Sequence, residues 1–586
     1  MCLPAIVILY TMAKALLSGN EAIARGAYEG GCLVACAYPG TPSTEILENI
    51  SKYPEIYCEW STNEKVALDV AMGASFAGAR ALVAMKHVGL NVAADPLFSA
   101  AYIGTTGGLI IVTADDPSMH SSQNEQDNRN YARAAKLLML EPSDSQEAKE
   151  FVKIGFDLSE KFDLPVLLRI TTRIAHSRSI VELNEREAHP PTGYIKDMPK
   201  RNLLPVNARR RRLYLEERLR KVEEFANVFE YNRIEKGDTE IGIIASGVAY
   251  MYAKEVLPEA TFLKLSLTWP LPRQLIREFA NMVKKIYVIE ECDPFLETEI
   301  RAMGINVIGK ELLPNIGELN PTILREAFNR DKKEYVMFDA LPPRPPVLCP
   351  GCPHRGFFYM VHKLNLYATG DIGCYTLGAF PPLDAMDTCV CMGASIGNAL
   401  GMEKAIPELA RKTVAVIGDS TFLHTGVPEL MDVVYNKGKT TVVVLDNRTT
   451  AMTGHQDHPG TGRTLMGEQT KSIMPEDIAR AMGIDDIHVV DAYDLDAIKS
   501  ALQKATSYDG PSLIVVRAPC IFLAPRKPPY EVDTSKCIGC RLCLELGCPA
   551  IVPTDDKVRI DTLLCYGCDL CRQVCKVGAI KPSSSD

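Results

Sequence analysis

The sequence predicts a multidomain α/β protein with parallel sheets and a small, cysteine-rich α+β domain at its C-terminus. Three observations lead there. Short apolar runs alternate with helix-forming stretches in three successive regions. Two proline-rich joints, Leu341-Pro-Pro-Arg-Pro-Pro-Val-Leu348 and Pro525-Arg-Lys-Pro-Pro-Tyr530, separate the later regions. Of the 19 cysteines, eight fall between Cys537 and Cys575.

Length and composition bound the answer. At roughly 150 residues per domain, 586 residues suggest about four domains. Hydrophobic residues at 47% and charged residues at 23% are ordinary globular values, which excludes a disordered chain. A chain this long is no disulfide-stapled secreted module. Sixty-four basic against 73 acidic residues leave −9, so no global basic field exists to hold nucleic acid. No run of 18 apolar residues occurs, so a soluble, cytoplasmic protein with no membrane contact is expected. The apolar start, residues 1–10, lacks a positive flank and a cleavage site. It reads as a few residues ahead of a true start at Met12, with a buried strand as the alternative.

In residues 1–197, the segments 32–38, 81–86, 109–113 and 165–170 read as buried strands, with a helix over 64–78. Residues 198–237 change character. Arg209-Arg-Arg-Arg212 runs into Leu213-Tyr-Leu-Glu-Glu-Arg, and the interleaved acids favour a solvated linker helix over a nucleic-acid patch. A second α/β unit spans 238–340, with strands at 241–245, 261–265, 285–289 and 305–308. A third spans 345–525, and the cysteine-rich domain 526–586.

That tail reads Cys537-x2-Cys540-x2-Cys543-x4-Cys548-Pro549, then Cys565-x2-Cys568-x2-Cys571-x3-Cys575. Three cysteines at two-residue spacing wrap one face of a cubane, and in two-cluster ferredoxins the fourth thiolate serves the other cluster. The expected sets are Cys537, Cys540, Cys543 and Cys575 for one [4Fe–4S] cluster, and Cys565, Cys568, Cys571 and Cys548 for the other. Structural zinc is the competing reading. It is disfavoured because zinc sites take paired CxxC motifs or include histidine, and this tail has none. The x4 gap before Cys548 departs from the usual x3. So small a domain cannot build a large core, so the clusters are expected to hold it together.

In the third unit, strand 413–418 is followed by Asp419-Ser420, a helix over 427–436, and strand 441–445 ending in Asp446-Asn447. Ligands of such sheets bind beyond the carboxyl ends of the strands. Two hard oxygen donors, Asp419 and Asn447, arriving from neighbouring strand ends suit Mg²⁺.

The pattern resembles the thiamine-diphosphate motif, with Ser420 standing where glycine is usual. Further motifs sharpen it: Leu348-Cys-Pro-Gly-Cys-Pro-His-Arg-Gly356, Gly370-Asp-Ile-Gly-Cys-Tyr375, Asp387-Thr-Cys-Val-Cys-Met-Gly-Ala-Ser395 and Tyr38-Pro-Gly-Thr-Pro-Ser-Thr44. Together they are similar to those of the 2-oxoacid:ferredoxin oxidoreductases, over nearly every domain in order. The resemblance implies a pyrimidine-binding domain, a transketolase-C-like domain, a diphosphate-binding domain and a two-cluster ferredoxin-like domain. It implies Mg²⁺ on Asp419, Asn447 and the main-chain carbonyl of Thr449, and cofactor contacts from Gly393, Ser395, Gly418 and Ser420. It further implies a third cluster on Cys349, Cys352, Cys374 and Cys520, against which stands ordinary packing of free cysteines. The remaining cysteines, Cys2, Cys32, Cys36, Cys58, Cys292, Cys389 and Cys391, read as packing.

Activating thiamine diphosphate needs a carboxyl group hydrogen-bonded to its aminopyrimidine, and a partly desolvated glutamate suits this. By resemblance this is Glu64; an exposed first-turn glutamate favoured by the helix dipole is the alternative. Thr41 matches a position that meets the substrate carboxylate, although Pro39 and Pro42 could equally mark a rigid turn. His87 and His120 are weaker candidates, and His455 and Gln456 border the diphosphate or substrate.

The implied reaction is oxidative decarboxylation of an arylpyruvate such as indolepyruvate. Coenzyme A takes the acyl group, and electrons pass through the clusters to ferredoxin. A smaller beta subunit and a heteromer with two alpha subunits follow from the same resemblance, and exposed low-potential clusters point to a reducing, oxygen-poor cytoplasm. Another 2-oxoacid is one rival substrate. A non-redox decarboxylase would have no electrons to route, and a pure electron-transfer subunit would not need Glu64 with Asp419 and Asn447.

Overall fold

The computed structural model describes residues 13–330, 342 and 345–583, which form two compact units divided after residue 337. Residues 1–12, with Cys2 and Met12, lie outside the described residues, as do Leu341, Pro343 and Arg344 of the first proline joint. Among the described residues no helix is long and apolar enough to cross a membrane.

The first unit holds a seven-stranded sheet in the order Leu267–Trp269, Leu138–Leu140, Val166–Thr171, Leu109–Asp115, Ala81–Lys86, Val34–Ala37, Tyr57–Trp60. All neighbours are parallel except the antiparallel edge pair Leu267–Trp269 with Leu138–Leu140. The strands Ala81–Lys86, Leu109–Asp115 and Val166–Thr171 are buried at every residue. Burial on both faces is why they read as continuous apolar runs. The amphipathic helix Ser145–Phe162 covers the sheet, started by the Asp144 side chain, which accepts from the Glu147 N–H.

A second sheet, ordered Lys285–Ile289, Asp238–Ser246, Ala260–Leu265, Arg233–Glu235, follows in the same unit. The strand expected at 305–308 is only a single bridge between Tyr287 and Ile308. Beyond it the Glu297 carboxylate takes the Lys310 N–H at 2.8 Å and turns the backbone away.

The helix Pro205–Ala226 is not the solvated linker expected from its charge. Arg211, Leu215, Arg218, Val222 and Ala226 are buried along one stripe. Arg211 donates to the carbonyls of Tyr102 and Ile103, and Arg218 to those of Ala101 and Asp163. Long arginine stems cover apolar surface while their heads find carbonyls. A charge count along the sequence misses that.

Where the two sheets of this unit meet, arginines and carboxylates are buried together. Arg129 pairs with Asp127 and Glu290, and Arg169 with Asp115 and Glu141. Burial pushes the neighbouring Glu291 carboxyl up from 4.5 to about 7. A carboxyl raised in the folded state stabilises fully below its ordinary value, and that contribution is lost as pH rises through about 7. At ~1.4 kcal/mol per unit the loss is at most about 3 kcal/mol. Glu291→Gln is therefore expected to flatten the fall of Tm between pH 4.5 and 7. A variant with the wild-type slope would show that another group titrates.

The second unit is built on a six-stranded, wholly parallel sheet: Thr388–Cys389, Tyr367–Gly370, Thr413–Gly418, Thr441–Asp446, Ser512–Arg517, Asp486–Asp491. Its strands end on one edge at Gly370, Gly418, Asp446 and Arg517. The tail follows as two antiparallel pairs, Tyr530–Val532 with Ile580–Pro582 and Ile551–Pro553 with Val558–Ile560, plus the helix Leu570–Val574.

The tail is not a tethered module. Leu546, Leu570 and Val574 share one apolar core with Phe357, Phe358 and Leu495. The Gln573 side chain accepts from Leu495 N–H and donates to the Tyr493 carbonyl.

Candidate active site and redox centres

In the first unit, Glu64 opens the helix Glu64–Phe76, whose N-cap Asn63 accepts from the Val66 N–H. Glu64 is buried, and it lies against Gly89, where a Cβ would stand 2.5 Å from its Oε1. Only glycine leaves the carboxylate that space. Thr41 is half-buried, and its carbonyl accepts from the Ser121 hydroxyl at 3.4 Å.

Beneath this loop is Lys86, a residue the sequence reading passed over. It ends the fully buried strand Ala81–Lys86 and donates to the Ser121 carbonyl at 2.6 Å. Burial lowers its ammonium to about 8, against the pull of Asp116. Its place at a strand's carboxyl end was the available signal. His87 is fully buried, with Nε2 3.2 Å from the Asn124 carbonyl and Nδ1 buried without a hydrogen-bond partner. His120 lies 3.2 Å from Glu318 and is half-exposed.

In the second unit, the neighbouring strands Thr413–Gly418 and Thr441–Asp446 deliver Asp419 and Asn447 to one edge. Asp419, Asn447 and Thr449 are all buried. The Asp419 carboxylate accepts from Ser420 N–H at 2.9 Å and Arg448 N–H at 2.9 Å, and lies 3.2 Å from His458 Nε2. Burial works against its charge, but His458 and these donors hold its pKa below the usual value. Asp446 beside it is raised by burial and by Asp419. Arg448, at φ 64°, turns the chain so that Thr449 follows directly. The Thr449 carbonyl accepts from Ala451 N–H at 3.0 Å and keeps a second lone pair. An anionic carboxylate, an amide oxygen and a carbonyl, all hard oxygen donors, fit a Mg²⁺–diphosphate group.

Two further residues surround this edge without having been singled out. His354 lies 3.5 Å from the Asn447 amide, and burial lowers its pKa to about 4. Asp371 accepts from Gly393 N–H at 2.8 Å and Ser395 N–H at 3.2 Å, and burial raises it to about 6. Asp371 thus fixes the turn that opens the helix Ala394–Ala405. Gly393 in that turn has φ 96°, and a Cβ there would meet Thr425 Oγ1 at 2.5 Å. Ser420 accepts from the Thr450 hydroxyl at 2.9 Å, so the serine in the glycine position helps to hold the 449–456 loop. Gln456 is buried in that loop, its amide oxygen 2.6 Å from the Thr453 hydroxyl.

The thiols gather as follows. Burial first, then Cys540, Cys575 and Cys537, push Cys543 up to about 11. Burial, then Cys548 and Cys565, do the same to Cys568. Cys571 is raised by burial, Cys568, Cys548 and Cys565. One cavity is lined by Cys548, Cys565, Cys568 and Cys571 together with Gly351 and Arg355. Four thiols around one cavity fit a cubane. Among the described residues no group of His, Cys, Asp or Glu closes tightly enough for a single metal ion; a cubane spreads its four thiolates over four irons instead.

Cys349, Cys352, Cys374 and Cys520 also come together. Burial raises Cys374 to about 11, with Cys520 and Cys349 adding repulsion. Cys352 is likewise raised by burial, with Cys349 and Cys374 adding to it. The Cys520 N–H donates to the Asn447 carbonyl at 2.9 Å, and its Sγ lies 3.6 Å from His455 Nε2. Of the cysteines read as packing, Cys32, Cys36, Cys58 and Cys292 are buried, whereas Cys389 and Cys391 are exposed. These two sit on the two-residue edge strand Thr388–Cys389 and the turn after it, off the apolar core.

Two parts of the chain match known family models. Residues 25–211 match the family described as pyruvate flavodoxin/ferredoxin oxidoreductase, thiamine diP-bdg. Residues 371–516 match the thiamine pyrophosphate enzyme, C-terminal TPP binding domain. The chain is 45% identical to indolepyruvate oxidoreductase subunit IorA of Archaeoglobus fulgidus, over 98% of each chain. It is 43% identical to the subunit of the same name from Methanothermobacter marburgensis, over 97% of each. A solved 2-oxoglutarate:ferredoxin oxidoreductase from Magnetococcus marinus aligns over 54% of this chain and 65% of its own, at 18% identity and TM-score 0.46.

Proposed function

The chain belongs to the family of indolepyruvate oxidoreductase IorA subunits, and from that premise we propose how its residues divide the work of oxidising indolepyruvate with ferredoxin as acceptor. It is the thiamine-diphosphate-dependent alpha subunit of such an enzyme and works with a partner subunit. Thiamine diphosphate supplies the electron sink for decarboxylation, and iron–sulfur clusters supply one-electron transfer. Per 2-oxoacid, CO₂ leaves, coenzyme A takes the acyl group, and the two electrons released pass singly to ferredoxin.

In this reading Asp419, Asn447 and the Thr449 carbonyl hold Mg²⁺. Gly418 and Ser420 shape the turn beside it, and Gly393 and Ser395 border the cofactor on a turn held by Asp371, which accepts from both their N–H groups. Glu64 holds a proton at the aminopyrimidine, and Thr41 meets the substrate carboxylate. Cys537, Cys540, Cys543 and Cys575 carry one [4Fe–4S] cluster, and Cys548, Cys565, Cys568 and Cys571 a second. Cys349, Cys352, Cys374 and Cys520 carry a third. A smaller beta subunit and two copies of this chain complete the assembly.

The observation that carries this reading is the bond from Cys520 N–H to the Asn447 carbonyl. One strand edge thereby joins the metal–diphosphate donors to a thiol set, so the redox group borders the cofactor. The test is a substrate panel on the purified complex with ferredoxin and coenzyme A. Indolepyruvate is expected to reduce ferredoxin faster than pyruvate or 2-oxoglutarate. CO₂ release without ferredoxin reduction would refute the oxidoreductase reading. Anaerobic iron analysis should give about twelve Fe per chain, at about four per cluster. About eight, with normal cofactor occupancy, would remove the third cluster.

A further inference from the structure

Arg355 is a cation buried without an anion. It sits in the helix His354–Lys363 and is only 2% exposed. A guanidinium stays protonated in proteins, and a buried charge is costly unless compensated. Its donors reach three carbonyls: Leu546 at 2.7 Å, Leu348 at 2.5 Å and Cys349 at 3.1 Å. Its Nε is buried with no partner. No carboxylate among the described residues pairs with it, whereas the buried Arg129 and Arg169 each pair with two. Carbonyl dipoles orient a guanidinium but do not neutralise it.

The surroundings show where the missing charge belongs. Arg355 lines the cavity walled by Cys548, Cys565, Cys568 and Cys571. Its carbonyl partners lie on both sides of the join, Leu348 and Cys349 in the CxxC loop and Leu546 in the tail. A cubane held by four thiolates is a net anion and gains a further negative charge when reduced.

We propose that Arg355 is the built-in counter-cation of the cluster on Cys548, Cys565, Cys568 and Cys571, and that it raises that cluster's reduction potential. This rests on the cluster assignment given above. Arg355 is a positioning residue: it ties the Cys349–Cys352 loop to the tail while its charge favours the reduced form of the cluster between them. Arginine suits both tasks, because its fork serves several carbonyls at once and its charge is fixed.

The test is a dithionite titration of the purified complex followed by electron paramagnetic resonance, with iron counted per chain. In Arg355→Gln the cluster on Cys548, Cys565, Cys568 and Cys571 is expected to move to more negative potential while the one on Cys537, Cys540, Cys543 and Cys575 and the iron content stay unchanged. Full iron with every potential unchanged would overturn the proposal. If Arg355→Gln loses about four Fe, Arg355→Lys decides. Iron and potential restored by lysine support the charge role, and equal loss shows that only the carbonyl bonds matter and overturns it. Cys568→Ala, run in parallel, tests the premise: iron at the wild-type level there would refute the cluster assignment itself.

Discussion

Replacing Glu64 with glutamine is expected to lower turnover by ~10²–10⁴-fold, the usual worth of a positioned acid–base group. The side chain is buried at the head of its helix, and glutamine keeps its size but not its transferable proton. Thiamine diphosphate and iron contents should stay at wild-type levels. Normal turnover in this variant would remove Glu64 from the mechanism. Gly89→Ala probes the same group from the other side. The added Cβ would stand 2.5 Å from Glu64 Oε1 and 2.7 Å from its Cγ, so the carboxylate must move. Because Glu64 is buried and its Cγ is met as well as its tip, the whole side chain must shift. Activity should therefore fall, with a lower Tm beside it.

Asp419→Ala is expected to abolish retention of thiamine diphosphate at ordinary Mg²⁺ concentrations. Losing an outer partner of a metal ligand costs roughly 10–100-fold in affinity, and losing the charged ligand should cost more. The substitution also strips His458 and the Arg448 N–H of their acceptor, at about 1–3 kcal/mol. Cofactor content measured against Mg²⁺ concentration, with Asp419→Asn as the shape-preserving control, checks this. Wild-type retention in Asp419→Ala would show that the metal is held elsewhere.

The sheets were legible in the sequence because doubly buried strands are written as unbroken apolar runs. Ala81–Lys86, Lys285–Ile289 and Thr413–Gly418 have the bounds expected of them. Other features depend on contacts distant in sequence. Leu267–Trp269 is a strand because Leu138–Leu140 offers it an edge, which no local pattern reveals. The helix Pro205–Ala226 looked solvated because its arginines were counted as charges rather than as stems.

The candidate site divides in the same way. Spacing alone suggested the two tail thiol sets, and strand–turn–strand logic suggested Asp419 and Asn447. Asp371 and His354 lie within the family-like motifs and Lys86 at a strand end, but what each does is set by burial, which the sequence does not show. Cys389 and Cys391 are exposed rather than packed, because an edge strand of two residues has no clear inner face. Arg355 was visible as part of a motif, but only burial shows that it lacks a counter-charge.

With the clusters proposed for the tail, the core it shares with the third α/β unit would make iron supply a condition of folding. The tail is synthesised after the third α/β unit, yet its Leu546, Leu570 and Val574 cover Phe357, Phe358 and Leu495. Until the clusters assemble, that apolar face has no cover and the nascent chain is open to aggregation and proteolysis. Oxygen damage to a cluster would accordingly propagate inward, from lost iron to a loosened core to a misplaced cofactor edge. In an iron-starved or aerated cell this subunit should fail by disappearing rather than by persisting as a cluster-free protein.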